Sequence, residues 1–163
     1  MSRFRSILLL MAIAAVLPAC GGDDSPTAPS ITFPTLPAAL LANFCVRGDR
    51  APNQGISGAV ETTDCPLGDG SYYEAWRVRV ATNGAYRFAA SSTFDNVLAL
   101  LRLDSYTDQS ATLTVIASDD DSGTGSNALI ASVTLTAGQD YFLLVNGYDG
   151  SDTGPYTVTF AAQ

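Results

Sequence analysis

The chain has 163 residues and a formal net charge of −8, from eight basic and sixteen acidic side chains, and all eight basic residues are arginine. With no histidine and no lysine, Ser-His-Asp, Cys-His and Ser-Lys nucleophilic machinery cannot be built, and histidine-ligated zinc is excluded. The acidic balance argues against a nucleic-acid partner, because a negative surface repels phosphate backbones as it repels anionic lipid headgroups.

Arg3 and Arg5 precede an apolar run from Ile7 to Leu17, well short of the ~20 residues that span a bilayer, so residues 1–19 are expected to be an export signal. Leu17-Pro18-Ala19-Cys20 resembles the lipobox of bacterial lipoproteins, which implies cleavage before Cys20 and a diacylglyceryl group on its sulfur. The mature chain would keep six arginines against sixteen acids, a formal −10. Acylation of Cys20 leaves Cys45 and Cys65 as the remaining thiols, and in an exported chain these are expected to form a disulfide, contributing about 3 kcal/mol through loop closure. Residues 20–42, rich in Gly, Asp, Ser, Thr, Pro and Ala, read as the lipidated cysteine followed by a disordered tether. Residues 43–163 read as one domain, long enough to bury its own core.

Within that domain the apolar pattern has period two. Ile56–Val60 opens it. Tyr72, Glu74, Trp76, Val78 and Val80 are expected on one face of the next strand, and Asn83-Gly84 to turn it into a hairpin with Tyr86, Phe88 and Ala90. Val97–Leu103 is apolar on both faces, as in a central strand. Leu113, Val115 and Ala117, then Leu129, Ala131, Val133 and Leu135, alternate on the following two strands. Tyr141–Val145 and Tyr156, Val158 and Phe160 close the chain. About eight short strands without helical periodicity give an all-β fold, a single β-sandwich of jelly-roll or Greek-key type.

Several motifs occur in a characteristic order: Gly55-Ile56-Ser57-Gly58, Tyr73-Glu74-Ala75-Trp76-Arg77-Val78, Ser92-Thr93-Phe94-Asp95-Asn96, Ser118-Asp119-Asp120-Asp121-Ser122-Gly123, Ser126-Asn127, Tyr141–Val145 and Gly154-Pro155-Tyr156. From about Gly55 to Phe160 this order resembles the bacterial pre-peptidase C-terminal domain. The resemblance implies a jelly-roll-like sandwich serving as an accessory module on exported proteins, often beside a secreted peptidase. Some members hold calcium through an acidic segment before the first strand and an Asp-x-Asp near the second. This chain departs from that pattern, with Arg47-Gly48-Asp49-Arg50 in the early segment and only Glu74 near the second acid.

The densest charge cluster is Asp119-Asp120-Asp121, and adjacent carboxylates repel unless solvent or a cation intervenes. A turn centred near Thr107 would place Asp95 across from position 119, so Asp95, Asp119 and Asp121 are the candidate calcium ligands. Arg47-Gly48-Asp49 matches the integrin-binding tripeptide, a length at which chance matches are frequent. Tyr106 and Tyr148, in expected loops, are the candidate ligand-facing aromatics, whereas Trp76 shares a face with Val78 and Val80 and is expected in the core. The combined expectation is a non-enzymatic, lipid-anchored protein of the bacterial cell envelope, at the outer membrane, displaying a binding or accessory sandwich to an extracytoplasmic protein. A carbohydrate- or polymer-binding module with a glycan ligand is the alternative. A small glycoside-active enzyme is the remote one.

Overall fold

The computed structural model describes residues 30–163. The expected signal, Cys20 and the first part of the tether lie outside the described residues. In chain order the elements are α1 (Ala38–Asn43), β1 (Val46–Arg50), β2 (Ile56–Val60), β3 (Cys65–Pro66), β4 (Tyr72–Val78), β5 (Gly84–Ser92), β6 (Asn96–Tyr106), β7 (Ala111–Asp119), β8 (Leu129–Leu135), β9 (Tyr141–Gly147) and β10 (Gly154–Ala162). One sheet runs β1-β4-β9-β6-β7 with β3 also paired to β4, and the other runs β2-β10-β5-β8. With the short segments β1 and β3 set aside, eight strands remain. Their order is first-eighth-third-sixth in one sheet and second-seventh-fourth-fifth in the other, the two-Greek-key winding of a jelly roll.

That winding corrects the expected hairpin. Strands β4 and β5 lie in different sheets, and the Asn83 turn crosses between them, its Oδ1 accepting the Ala137 N–H at 2.8 Å. Period two reports which side chains face inward, and it is the same whether consecutive strands pair edge to edge or face each other across a core. The inward set is the expected one: Trp76, Val78, Val80, Tyr86, Phe88, Tyr156, Val158 and Phe160 share one buried cluster. Phe88 and Phe160 stack there at 4.5 Å.

Two bulges change the alternation elsewhere. Leu100 pairs with Ala117 but Leu101 with Val115, so Ile116 is the extra residue. Ile116 and Ala117 both pack on the core, while Val115 is left 59% exposed. In β8 the register slips opposite Arg87, between Tyr86↔Val133 and Phe88↔Ile130. Ile130 is therefore buried in place of Leu129 and Ala131. A bulge leaves no mark in a sequence pattern beyond the alternation it breaks.

The expectation of a disordered tether up to residue 42 is corrected from residue 30 onward. The outer face of the β4-β9-β6 sheet carries Phe142 and Leu103, and Leu36 packs with them in a second apolar cluster. Leu40 on α1 is fully buried, and Phe44 stacks on Phe142 at 6.0 Å. Arg77 and Arg79, on the same face, donate to the Pro34 and Thr32 carbonyls at 2.7 and 2.6 Å. Residues 30–44 thus form a strap over the sheet. A Pro/Thr/Ala-rich window masks the few large side chains that dock it.

Cys45 and Cys65 are bonded, with a Cα–Cα distance of 6.0 Å. They join β1 and β3, which lie on the same edge of β4. Beside the disulfide, Arg47 pairs with Asp64 and, at 2.7 Å, with Glu74. Glu74 is only 6% exposed. It accepts the Tyr156 hydroxyl at 2.6 Å, and that hydroxyl accepts Trp76 Nε1 at 2.7 Å, so a buried polar chain crosses from one sheet to the other. Burial first, and the Glu74 carboxylate second, push the Tyr156 phenol well above its ordinary value. Gly58 is the cost of this proximity: a Cβ there would meet Glu74 Oε2 at 2.0 Å.

Two outcomes follow for the mature chain. Leu40→Ala is expected to lose about 2–4 kcal/mol in chemical denaturation, the cost of a buried cavity; a loss within ~0.5 kcal/mol, as at exposed sites, would show that the strap is not docked. Tyr156→Phe removes the hydroxyl and leaves Glu74 and Trp76 each short of a partner, which should cost about 1–3 kcal/mol in the same assay.

Candidate functional site

The β3–β4, β7–β8 and β9–β10 connections converge at one end of the sandwich. This is the end where Gly147 pairs with Asn96 and Asn146 pairs with both Tyr73 and Val97. They border a cleft of about 370 Å³ lined by Asp69, Val97, Ser118, Asp119, Asp120, Asn146 and Tyr148. Each side chain has a local reason for its place. Asp69 Oδ1 accepts the Ser71 N–H and Oγ at 3.0 and 2.7 Å. Asp119 Oδ2 accepts the Ser122 and Leu129 N–H groups at 3.0 and 2.6 Å, closing the β7–β8 loop. Asp149 Oδ1 holds Ser151 in the same manner, at 2.7 Å to its N–H. Gly147 lets the β9–β10 loop fold back, since a Cβ there would lie 2.0 Å from the Asp152 carbonyl. Below the loops, fully buried Asn96 accepts the Ala128 N–H and donates to Ser92 Oγ and Asn127 Oδ1.

The candidate calcium ligands are only partly brought together. The β6–β7 turn is closed by Thr107 N to Ser110 O at 2.8 Å, later in the chain than a turn centred on Thr107. Leu98, not Asp95, therefore stands opposite Asp119. Asp95 instead lies within the fields of Asp121, Asp152, Asp120 and Asp149. Its carbonyl accepts the Tyr148 N–H at 2.9 Å, and its Oδ1 is buried without a hydrogen-bond partner. Among the described residues no three acidic or thiol side chains converge as a metal-holding group.

Tyr148 is 61% exposed and lines the cleft, whereas Tyr106, 48% exposed, is at the far end of β6. The two do not form one aromatic platform. Trp76 is 5% exposed and in the core, as expected. The Arg47-Gly48-Asp49 tripeptide lies within β1, its Asp49 carboxylate held by Arg77 at 2.8 and 2.6 Å and its Arg47 paired inward, so it is not presented as a recognition loop. Sequence reasoning missed Asp69 and Asn146 in the cleft. The polar break of Asn146 after the apolar run Tyr141–Val145 was the signal for one; nothing in the sequence marked Asp69, which reaches the cleft through the fold.

The electrostatics of this end are one-sided. Asp69, Asp95, Asp119, Asp120, Asp121, Asp149 and Asp152 all belong to it, and the described ion pairs involve none of them. Hydrogen bonds from the Ser71, Leu129 and Ser151 groups favour ionised Asp69, Asp119 and Asp149; for Asp119 they outweigh burial, the largest single influence on it, and all three carboxyls lie below the usual carboxylate range. Asp95 is raised, first by burial and then by its acidic neighbours.

No family model matches the chain, and no curated protein does. Among solved structures the fold is similar to the pre-peptidase C-terminal domain of collagenase from Bacillus anthracis, at 17% identity over 69% of this chain and 92% of that one, with a TM-score of 0.48. It is also similar to PliG, a periplasmic inhibitor of g-type lysozyme, from Aeromonas hydrophila, at 12% identity over 71% of this chain and 99% of that one, with a TM-score of 0.44. The Yersinia pseudotuberculosis-derived mitogen matches at 16% identity over 69% and 87%, with a TM-score of 0.42. The likeness is one of polypeptide fold at low identity.

The raised Asp95 value sets a testable sign. A carboxyl whose folded-state value is raised stabilises the fold when protonated, and that contribution is lost as pH rises through the folded value. At neutral pH ionised Asp95 is therefore a net cost. Asp95→Asn should melt at a higher temperature than wild type at pH 7, with the difference shrinking toward about pH 4 as wild type itself protonates. Thermal melts across that range check it; a variant that melts lower at pH 7 would refute the reading.

Proposed function

We propose that the chain is an exported, lipid-anchored, non-catalytic binding module, and that its ligand site is the acidic cleft bearing Tyr148, which takes a lysine- or arginine-bearing surface of an extracytoplasmic protein. The observation that carries this is the convergence on one end of the sandwich of seven aspartates that have no ion-pair partner among the described residues, around a cleft with an exposed aromatic ring. A cleft of one charge sign concentrates the field and draws in an opposite charge, and an ammonium or guanidinium group gains further from an aromatic face. Export agrees with the Cys45–Cys65 disulfide, a bond that persists in oxidising compartments. Asp69 and Asp119, two of the carboxyls lining the cleft, are held below the usual range and are engaged in closing their own turns, a state opposite to that of the proton donor in glycoside cleavage. Tyr148 alone favours the glycan alternative, because Tyr106 is too distant to extend its surface.

The test uses the purified lipoprotein in detergent with a fluorescein-labelled oligolysine peptide, and an uncharged oligosaccharide as comparison. Peptide binding is expected, weakening about tenfold or more between low and 0.5 M salt as exposed charges are screened, and weakening again in Asp120→Asn/Asp121→Asn and in Tyr148→Ala. Equal binding by wild type and the Asp variant would overturn the cationic reading. Salt-insensitive oligosaccharide binding that Tyr148→Ala abolishes would replace it with the glycan one, and a melting temperature raised by millimolar calcium would assign the acidic end to a metal ion.

A further inference from the structure

The strap and the charge distribution together assign an orientation to the anchored protein. Strands β4, β6 and β9 have two ends: one carries the acidic cleft, and the other carries Val78 and Arg102, both paired with Tyr141. Ser30, Ile31 and Thr32 lie at this second end, against Arg79–Ala81 and Gly138, with Thr32 fixed by Arg79 at 2.6 Å. The described chain therefore begins opposite the cleft, and the docked strap leaves ten residues from Cys20 to Ser30, a reach of about 35 Å at most. Independently, most of the charges near the strap's beginning are compensated, with Asp108 of the β6–β7 turn outside the described ion pairs. Arg77 pairs with Asp49, Arg79 with Asp140 and Arg102 with Asp104, while none of the seven aspartates of the other end has such a partner among the described residues. An anionic membrane repels the end with seven such aspartates more strongly than the largely compensated one.

We infer that the anchored protein stands with the strap end toward the membrane and the acidic cleft turned away from it, so that the cleft meets partners approaching from the opposite side. This rests on the lipid-anchored reading of Cys20 and is independent of what the cleft binds.

The experiment reconstitutes the full lipoprotein into vesicles of phosphatidylethanolamine and phosphatidylglycerol carrying a headgroup-linked acceptor dye. Donor dyes are placed on Thr124→Cys, in the exposed β7–β8 loop, or on Ala137→Cys, exposed in the β8–β9 turn. The two ends differ in height by about 20 Å, the rise of strand β9, and energy transfer should be about twofold or more stronger from position 137. Flotation with the vesicles and the N-terminal mass report the anchor separately, with Cys20→Ser as the soluble control. Protein that floats yet transfers equally from both positions, or more strongly from 124, overturns the orientation while leaving the anchor intact. Protein that fails to float, with an unmodified N-terminus, overturns both.

Discussion

A carboxylate buried in the sheet interface governs much of this structure. Glu74 is 6% exposed, and an isolated charge at such a depth would cost several kcal/mol unless its oxygens were satisfied. Arg47 occupies one oxygen and Tyr156 the other. Each partner brings an element with it: Tyr156 brings β10, and through its hydroxyl Trp76 on the opposite sheet; Arg47 brings β1 and, through Asp64, the loop before β3. The disulfide pins the same two segments. Gly58 on β2 is required because no larger residue clears the carboxylate. Four strands and one covalent bond thus share a single electrostatic requirement, which fixes how the two sheets sit against each other more specifically than apolar packing would.

The polar chain also explains which parts of the fold were legible in the sequence. The eight long strands and their inward residues follow from alternation, because a half-buried strand must present one apolar face. Strands β1 and β3 carry no such face: Val46–Arg50 is held by ion pairs and by parallel pairing with β4, and Cys65–Pro66 by the disulfide. Polar and covalent forces built them, and hydrophobic period cannot report either. The strap was missed for a related reason. Its order comes from the tertiary surface it covers, where Phe142, Leu103 and two arginines wait on the outer face of β4, β6 and β9. Tyr73, Ala75 and Arg77, on the face of β4 opposite Glu74 and Trp76, are buried as well, Arg77 beneath the strap whose Pro34 carbonyl it binds.

At the candidate site the sequence announced the acidic run 119–121 and the exposure of Tyr148, both local properties. It could not give the pairing. The β6–β7 turn falls later in the chain than Thr107, and the two irregularities along that pair, one in each strand, cancel, so Leu98 rather than Asp95 faces Asp119; a jelly roll brings distant loops to one end only through its winding. Asp69, from the β3–β4 loop, reaches the cleft solely by that route.

Sorting the aspartates of this end by their structural use separates necessity from surplus. Asp69, Asp119 and Asp149 each tie down a serine or backbone amide, and their lowered values mean that the fold favours their charge. Asp120 and Asp152 accept one loop amide apiece, from Asp121 and Asp149. Asp121 accepts none, and Asp95 keeps an oxygen buried without a partner while its neighbours oppose its ionisation. Turn closure accounts for the first group and partly for the second. It does not account for the last two, whose charge adds repulsion that none of the described ion pairs offsets. A loop cluster needing only capped turns would be served as well by asparagine, which tolerates the same conformations and hydrogen-bonds the same amides. Charge at Asp95 and Asp121 is therefore not something that turn geometry requires.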